Sequence, residues 1–556
     1  MRYGLTHAKT PQMQYLQSGS NFASARHAAR LTIAAAAEFL DISTEEAERL
    51  EKGTVAPTPQ QTVALNFMVS LVIAKSKELS PLSSGSQPSS LRPGRKQSLA
   101  QYFTPTSIAT FMANMFDEPQ GEIELLDAGA GVGALSVAFF KRWEKSTSIS
   151  AEAHELDSDT CLELSRALFC YFSEQHKLKI VEGDFIEFAT DAIQARKPRR
   201  FTHAILNPPY KKISANSKHR MMLSSIGLET VNLYSGFVAM AVALAADGAE
   251  IVAIIPRSFC NGPYYLGFRK YILERCALCA IHVFEKRDKA FAADGVLQEN
   301  VIIKLQVGAP RSKVKVSASS DHSFDDNKEF LADFEQIIRP NDSDFFIHIP
   351  NRFTATTILN DKFNCSLSGL GLECSTGPVV DFRVAKYLKR QHEPNSAPLL
   401  YPCHFQDSML AWPSQRAKKA NAIEICDETK KLLLPKGHYV VVRRFSSKEE
   451  HRRIHASVLD PSTLTGDLIG LENHLNFFHS KKLPIDIELC WGLAGYLISS
   501  QVDATFRNFS GHTQVNSTDL RKLLYPTKNQ LLRIGAEFMR AGVINSKMAD
   551  SLLEQL

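Results

Sequence analysis

The chain has 556 residues, of which 44% are hydrophobic and 22% charged, a composition typical of a globular protein with several cores. No apolar run reaches the roughly 18 residues of a membrane span, and the first residues lack the apolar core of a secretory signal. The net charge of +5 permits a nucleic-acid partner without requiring one. The ten cysteines show no matched metal-binding spacing, so we expect reduced thiols, no metal and a cytoplasmic protein.

Residues 1–80 are predicted to form a small helical domain. Residues 34–40 have the pattern of one helix and residues 44–50 of a second, with a turn at 41–43 and an end at 51–53. This pattern resembles the helix-turn-helix of lambda-repressor-type proteins. The second helix carries three glutamates, which would repel DNA phosphates. We therefore leave two roles open, operator binding and dimerisation or another protein contact.

Residues 97–308 alternate strand and helix signals after a Ser/Pro-rich stretch, 81–96, that is typical of a linker. Short apolar runs (IELLDA, AEAHE, LKIVEG, FTHAILN, EIVAII and ALCAIHVF) predict strands, and helical patterns such as ALSVAFFKRW lie between them. This alternation predicts an α/β, doubly wound sheet, in which ligands bind at the carboxyl ends of the strands. Polar residues 309–344 are predicted to be a connector to a last region, 345–556.

Three predicted strands end in residues suited to a nucleoside. The first strand is followed by a glycine loop, Gly129-Ala-Gly131-Val-Gly133, in which the backbone can approach a ligand closely. The second strand ends in Glu155, which is placed to accept hydrogen bonds from ribose hydroxyls. After the third, Asp184 is placed to hold an adenine amino group and Phe185 to pack on its ring. Each acid has a simpler role as a turn or helix-capping residue. The predicted cofactor-binding residues here are Asp127, Ala128, Gly129, Gly131, Glu155, Asp184 and Phe185.

The fourth strand ends in Asn207-Pro208-Pro209-Tyr210. The two prolines stiffen this loop and hold its carbonyls outward, Asn207 supplies an amide, and Tyr210 supplies a flat face. A plain proline turn is the alternative, but the position behind three nucleoside-like strand ends favours a functional loop.

The order of these motifs, with Gln101-Tyr-Phe-Thr104-Pro105 ahead of the glycine loop, resembles the gamma class of DNA adenine-N6 methyltransferases of restriction–modification systems. Downstream, CSTGPVVDFR, YVVVRRFSSKEEHRRI, LENHLN and FRNFSGHTQVNSTDLR look like the PstI/BsuBI-type members. The resemblance covers residues from about 95 to 530. It implies a Rossmann-like catalytic domain and a C-terminal α+β target-recognition domain. It also implies S-adenosylmethionine as cofactor, double-stranded DNA as partner, and a restriction endonuclease that acts separately on unprotected DNA.

The resemblance also implies catalytic roles. The Asn207 side-chain oxygen and the Pro208 carbonyl would bind both N6 hydrogens of a flipped-out adenine, which favours a pyramidal, more nucleophilic nitrogen. Tyr210 on one face and Phe291 on the other would stack on the base, although Phe291 has an alternative as a core residue. Thr104, Pro105 and Asn207 join the predicted cofactor site.

Basic residues are expected to contact DNA phosphates, although a solvated surface explains them too. Around the fourth strand these residues are Lys197, Arg199, Arg200, Lys211, Lys212, Lys218 and Arg220. In the C-terminal region, side chains suited to bases or phosphates are Arg443, Arg444, Arg507, His512 and Gln514.

Three other functions remain compatible with the sequence alone. An RNA or protein-glutamine methyltransferase would use the same loop, because it suits any planar amino nitrogen, but a C-terminal region this large disfavours it. A transcription regulator with a methylase-like sensor is disfavoured by the intact Asp127, Asn207 and Pro208. A dinucleotide oxidoreductase would share the glycine loop but fits the Asn207 loop poorly.

Overall fold

The computed structural model describes residues 33–40, 42–55, 104–169, 171, 175–284, 299–340, 342–350, 363–406, 409–414, 419–447, 450–510 and 513–556. The chain divides into two compact units, Met1–Phe259 with Tyr264–Phe345, and Cys260–Pro263 with Phe346–Leu556. Within the described ranges, no helix is long and apolar enough to cross a membrane.

Two short helices lie where the sequence predicts them near the N-terminus, α1 (Ile33–Leu40) and α2 (Thr44–Glu51). Ser43 caps α2, because its side chain accepts the backbone N–H of Glu46 at 3.1 Å. Ala47 and Leu50 are buried, whereas Glu45, Glu46 and Glu48 are exposed. The exposed face is therefore acidic, and its role in binding DNA or protein stays a prediction.

The first unit is built on one large sheet with helices between its strands. Its elements are α3 (Thr106–Asn114), β1 (Ile123–Ala128), α4 (Ala134–Trp143), β2 (Ile149–Glu155), α5 (Ser158–Phe169), β3 (His176–Glu182), α6 (Phe185–Gln194), β4 (Phe201–Leu206), α7 (Lys218–Ser225), α8 (Leu233–Leu244), β5 (Ala245–Pro256), α9 (Leu266–Arg275), β6 (Cys276–Phe284), β7 (Asn300–Val307), β8 (Val314–Ser319), β9 (Lys328–Ala332) and α10 (Phe334–Ile337). The strand order is β3-β2-β1-β4-β5-β7-β6-β8-β9. Strands β1 to β5 run parallel, and β7 lies antiparallel between β5 and β6.

Helices cover both faces of this sheet. On one face, α3, α4 and α5 share a core with alternate strand residues such as Leu125, Ile205 and Val252, all fully buried. Helix α8 contacts β1, β4 and β5, where the other alternate residues, such as Leu126 and Ile251, are buried as well. Burying one such side chain contributes roughly 1.5–3 kcal/mol. The predicted α/β class and its six predicted strands are confirmed.

The predicted connector at 309–344 is wrong for much of its length, because β8 and β9 extend the sheet of the first unit. Strand β8 pairs parallel with β6, and β9 pairs antiparallel with β8. Every residue of β8 except Lys315 is buried. The polar stretch SSDHSFDDNKE, which suggested a connector, instead spans the β8–β9 turn and the start of β9. The polar residues there interrupt the apolar runs from which strands are predicted.

The second unit is α+β, as predicted. Its elements are β10 (Glu373–Thr376), β11 (Leu388–Lys389), β12 (Ser396–Leu400), β13 (Phe405–Gln406), β14 (Met409–Leu410), β15 (Ala422–Glu424), α11 (Asp427–Lys430), β16 (Leu434–Pro435), β17 (Tyr439–Arg443), β18 (Ala456–Leu459), β19 (Leu468–Leu471), β20 (Leu475–His479), α12 (Ile487–Leu497), α13 (Ser500–Phe509), α14 (Ser517–Arg521), α15 (Lys528–Ala541) and α16 (Ser546–Glu554). Its strands form a six-stranded sheet, β10-β20-β17-β18-β14-β13, and a five-stranded sheet, β11-β15-β12-β19-β16. The C-terminal helices share a core with β17 and β20.

Candidate active site

The glycine loop and the Asn207 loop lie side by side, because β1 and β4 are neighbouring parallel strands. Gly129 and Gly131 have φ of 77° and 56°, a backbone region that favours glycine. A Cβ on Gly129 would lie 3.5 Å from the Phe237 ring, 3.9 Å from Cδ of Pro209 and 4.0 Å from the Asn207 carbonyl oxygen. A side chain there would therefore fill the space where the two loops meet.

Asp127, the last residue but one of β1, carries a buried carboxyl group, and one of its oxygens has no hydrogen-bond partner among the described residues. Its side chain accepts a hydrogen bond from the Ser136 hydroxyl at 2.6 Å through Oδ2, whereas Oδ1 is buried and has no hydrogen-bond partner in the described part of the chain. Burial raises the pKa of Asp127 to about 7, and nearby Glu155 adds to the rise while the Ser136 hydrogen bond opposes it. The unpaired oxygen suits a cationic donor such as an ammonium group.

Glu155 ends β2 and ties the glycine loop to the end of that strand. Its Oε2 accepts the backbone N–H of Gly131 at 3.0 Å, and its Oε1 accepts that of Asp157 at 2.9 Å. Each carboxylate oxygen has a second lone pair. The predicted contact with ribose hydroxyls is compatible with this geometry and stays a prediction.

Asp184 takes the simpler role of a helix cap that the sequence left open, and Phe185 is a buried residue. Asp184 caps α6, where its Oδ1 accepts the backbone N–H of Ile186 at 2.8 Å, and its Oδ2 lies 2.6 Å from Nε2 of His219. Phe185 is 2% exposed and contacts the ring of Phe237 at 5.2 Å. Their contacts with an adenine ring stay predictions, and an adenine amino group would share the Asp184 carboxylate with His219.

The side chain of Asn207 is held at both ends of its amide. Its Nδ2 donates to Oγ1 of Thr104 at 2.9 Å. Its Oδ1 lies 3.2 Å from the Tyr210 hydroxyl, which also reaches the Ile254 carbonyl at 3.2 Å. Pro208 is buried, and the Tyr210 ring meets Tyr234 edge-on. This network fixes the orientation of the Asn207 amide and hence the position of its acceptor, Oδ1.

Sequence reasoning missed several residues that shape this site. Ser136 and Phe237 lie on helices whose sequences there are mainly apolar, so nothing in the sequence marked these two residues as part of a site. The Ile254 carbonyl comes from β5, and only the strand order could reveal it. Thr104 was predicted from the motif order, but its bond to Asn207 was not.

Three of the basic residues that were expected to contact DNA phosphates lie far from the Asn207 loop. The three residues Lys197, Arg199 and Arg200 come before β4, and Asn207 comes directly after it. Because β4 has six residues, roughly 20 Å separate its first residue from Asn207. Arg200 binds Glu124 at 3.1 Å at that far edge. After the loop, four basic residues differ in their partners: Lys218 pairs with Glu187, Arg220 pairs with Glu229, and Lys211 and Lys212 are exposed without an ion pair to any described residue.

In the second unit the predicted DNA-binding residues separate into two groups. Arg444 donates to the Asn473 carbonyl at 3.2 Å and to Oε1 of Gln514 at 3.4 Å, so these predicted readers lie together. Arg507 binds Asp503 on its own helix at 2.6 Å, and Arg443 lies 3.6 Å from Glu450. Phe291 and His512 lie outside the described residues.

Comparison with known proteins identifies relatives along most of the chain. The Eco57I restriction-modification methylase family matches residues 134–291. Type II methyltransferase M.BsuBI of Bacillus subtilis is 48% identical over 452 residues, covering 79% of this chain and 90% of that protein. Type II methyltransferase M.PstI of Providencia stuartii is 41% identical over 473 residues, covering 83% and 93%. The solved DrdV–DNA complex has a TM-score of 0.46 at 14% identity, covering 90% of this chain and 62% of that one.

The residues at the carboxyl ends of β1 and β2 fit the cofactor of this family. S-adenosylmethionine carries an ammonium group, which matches the buried, unpaired oxygen of Asp127. The open glycine loop leaves backbone accessible beside it, since a Cβ on Gly131 would meet no atom within 4 Å. The chain belongs to the type II methyltransferases of restriction–modification systems, and its cofactor is S-adenosylmethionine.

Proposed function

We propose that this chain methylates N6 of an adenine flipped out of double-stranded DNA at a specific site. The observation that carries the proposal is the orientation of the Asn207 amide. Thr104 accepts from Nδ2, so the amide oxygen is the atom left to accept a hydrogen bond from a substrate. An amino group that donates two hydrogens, such as adenine N6, is the matching substrate group.

Adenine N6 is a poor nucleophile because its lone pair is delocalised into the ring. Acceptors at Asn207 Oδ1 and the Pro208 carbonyl would hold both N6 hydrogens and favour a pyramidal nitrogen, with fixed dipoles stabilising the developing charge. Tyr210 can release Asn207 without losing its own partner, because its hydroxyl also reaches the Ile254 carbonyl at 3.2 Å. The substrate can therefore replace Tyr210 at Oδ1 without leaving a buried hydroxyl unpaired.

S-adenosylmethionine supplies the electrophilic methyl group when bound. Asp127 and Glu155 would hold its amino group and ribose, while the glycine loop admits its backbone contacts. Tyr210 would stack on one face of the flipped base, with Phe291 proposed for the other. Stacking would recover part of the few kcal/mol that base flipping costs.

DNA binding is proposed for exposed Lys211 and Lys212 and for Arg443, Arg444, Arg507, His512 and Gln514. Because the family belongs to restriction–modification systems, methylation by this chain would protect host DNA from a separate endonuclease. The N-terminal helices are proposed to serve operator binding or dimerisation rather than catalysis.

The test is methylation-aware sequencing of DNA from cells that express the chain, with an Asn207→Ala variant as control. We expect N6-methyladenine at one short sequence motif in the wild type and none with the variant. Methylated cytosine, or methyl transfer only to RNA or protein in a purified assay, would refute the proposal.

A further inference from the structure

Asn300, the first residue of β7, has a buried side-chain amide without a hydrogen-bond partner in the part of the chain that the structure describes. It is 3% exposed, and neither its Nδ2 nor its Oδ1 has a hydrogen-bond partner among the described residues. Other buried asparagines do have partners, since Asn232 donates to the Tyr265 hydroxyl and Asn476 donates to the Val515 carbonyl. A buried amide without a partner lowers stability, and native proteins rarely keep one without a reason.

The strand register places Asn300 at the same edge of the sheet as Asn207. Strand β7 pairs antiparallel with β5, with Asn300 opposite Pro256 and Ile302 opposite Ile254. Leu206 lies opposite Ala253, so the next residue, Asn207, aligns with Ile254. Asn300 thus lies two strands away from Asn207 in the sheet and two residues farther along the strand direction. These spacings give a separation of roughly 12 Å between the two Cα atoms.

Both asparagines also belong to the same face of the sheet. Ile205 pairs with Val252 and Val252 with Lys304, and paired residues in a sheet point to one side. Alternate residues from these positions include Asn207 on β4 and Asn300 on β7. Ile205, Ile254 and Ile302 share one core, which agrees with this assignment.

We propose that Asn300 is a further substrate-binding residue, which donates from Nδ2 to a ring nitrogen of the adenine whose N6 is held at Asn207. This inference rests on the proposed function. Each free ring nitrogen of adenine is an acceptor with a C–H group beside it. A side-chain amide matches that edge, because Nδ2 donates to the nitrogen and Oδ1 lies against the C–H. The separation of roughly 12 Å leaves room for a base between the two amides.

The experiment compares duplexes whose target adenine is replaced by 1-deaza-, 3-deaza- or 7-deazaadenine, each lacking one ring nitrogen. Wild-type kcat/KM should fall at least tenfold on one analogue and less on the others. Asn300→Leu should lower kcat/KM on adenine by a similar factor and show no additional loss on that analogue. Its dissociation constant for S-adenosylmethionine should stay within twofold of wild type.

Thermal unfolding separates this role from a structural one. Asn300→Leu should have an unchanged or higher Tm, because an apolar side chain of similar size removes an unpaired buried amide. The matched control, Asn232→Leu, should have a lower Tm, since it leaves the buried Tyr265 hydroxyl without its donor.

Several outcomes would overturn the inference. Equal wild-type rates on adenine and all three analogues would do so without any variant, even if Asn300→Leu fails to fold. Unchanged analogue discrimination in Asn300→Leu, or loss of its cofactor binding, would assign the amide to another role. Methyl transfer by the wild type to another base would refute the proposed function itself and this inference with it.

Discussion

At the scale of single residues, the proposed chemistry depends on one amide oxygen. We expect Asn207→Ala to lower kcat by roughly 10²–10³-fold, the usual cost of removing one positioned hydrogen-bonding group that acts in the transition state. Its affinity for S-adenosylmethionine should change only a few-fold, because the amide bonds to Thr104 and Tyr210 rather than to the cofactor loop. Rates of methyl transfer and calorimetric binding measure the two effects. An equal loss of cofactor affinity would reassign Asn207 to the cofactor.

Asp127 gives a prediction of pH dependence. Burial raises the pKa of Asp127 to about 7 in the folded chain, above its ordinary value of about 4. Its neutral form therefore stabilises the fold at low pH, and this contribution is lost as the pH rises from about 4 through 7. An ammonium group on the cofactor needs the charged form. We expect affinity for S-adenosylmethionine to increase several-fold between pH 6 and pH 7.5.

Calorimetric titrations at the two pH values check this expectation. Asp127→Asn is the matched control, because it cannot ionise and should bind weakly with little change between pH 6 and pH 7.5. Wild-type affinity that is constant over this range would mean that Asp127 does not face the ammonium group.

At the scale of helices and strands, one contact joins the start of α3 to the end of β4. Thr104 precedes α3 and fixes the Asn207 amide at 2.9 Å. Thr104→Val keeps the shape but removes the acceptor, so the amide can rotate and present its donor to the substrate. We expect a loss of about tenfold in kcat, with Thr104→Ser close to wild type. Equal activity of the Val and Ser variants would contradict this positioning role.

The sequence predicted the strands and their ends better than it predicted the hydrogen-bond partners of the site residues. Apolar runs located six strands, and parallel neighbours put Asp127, Glu155 and Asn207 at one edge of the sheet, because parallel strands share their carboxyl ends. Hydrogen-bond partners depend on register and rotamer, which composition does not encode. Asp184 therefore emerged as a helix cap bound to His219, although the sequence favoured a nucleoside contact.

Helices α12 and α15 make a contact that only glycine permits. A Cβ on Gly492 would lie 1.9 Å from the Leu531 carbonyl oxygen, which is backbone and cannot rotate away. Gly492→Ala should therefore destabilise the second unit, because overpacking costs about 1–3 kcal/mol and exceeds the roughly 1 kcal/mol gain in helix propensity. Gly121→Ala is the control, since no atom lies within 4 Å of its Cβ. Denaturant unfolding compares the two, and equal stability would contradict the close contact.

At the scale of the whole molecule, we expect catalysis not to need the N-terminal helices. A chain that begins at Lys96 keeps the proposed site, including Thr104 and the glycine loop, and loses α1 and α2. Because α2 buries Ala47 and Leu50 and exposes mainly acidic residues, it offers little to DNA phosphates. Methylation rates of the full and shortened chains should agree within a few-fold. Complete loss in a folded, shortened chain would make the helices part of the enzyme.

Sequence specificity is expected to reside in the second unit, because a recognition site of several base pairs needs several polar contacts of roughly 1–3 kcal/mol each. Arg444 and Gln514 lie within 3.4 Å of each other and present the side-chain types that read base edges. Arg507 is bound to Asp503 and to the Glu450 carbonyl, so its first role is structural. We expect Arg444→Ala or Gln514→Ala to lower discrimination against a one-mismatch duplex about tenfold, or about 1.4 kcal/mol.

The measurement is kcat/KM on cognate and mismatched duplexes at one salt concentration, since phosphate contacts vary with salt. A base contact relaxes preference at one position, whereas a phosphate contact weakens activity on both duplexes equally. Arg507→Ala serves as the comparison, and we expect it to lower Tm and to weaken activity on both duplexes equally, so that discrimination stays at the wild-type value. Equal losses on both duplexes for Arg444→Ala and Gln514→Ala would place base reading elsewhere, beginning with the exposed lysines that follow Tyr210.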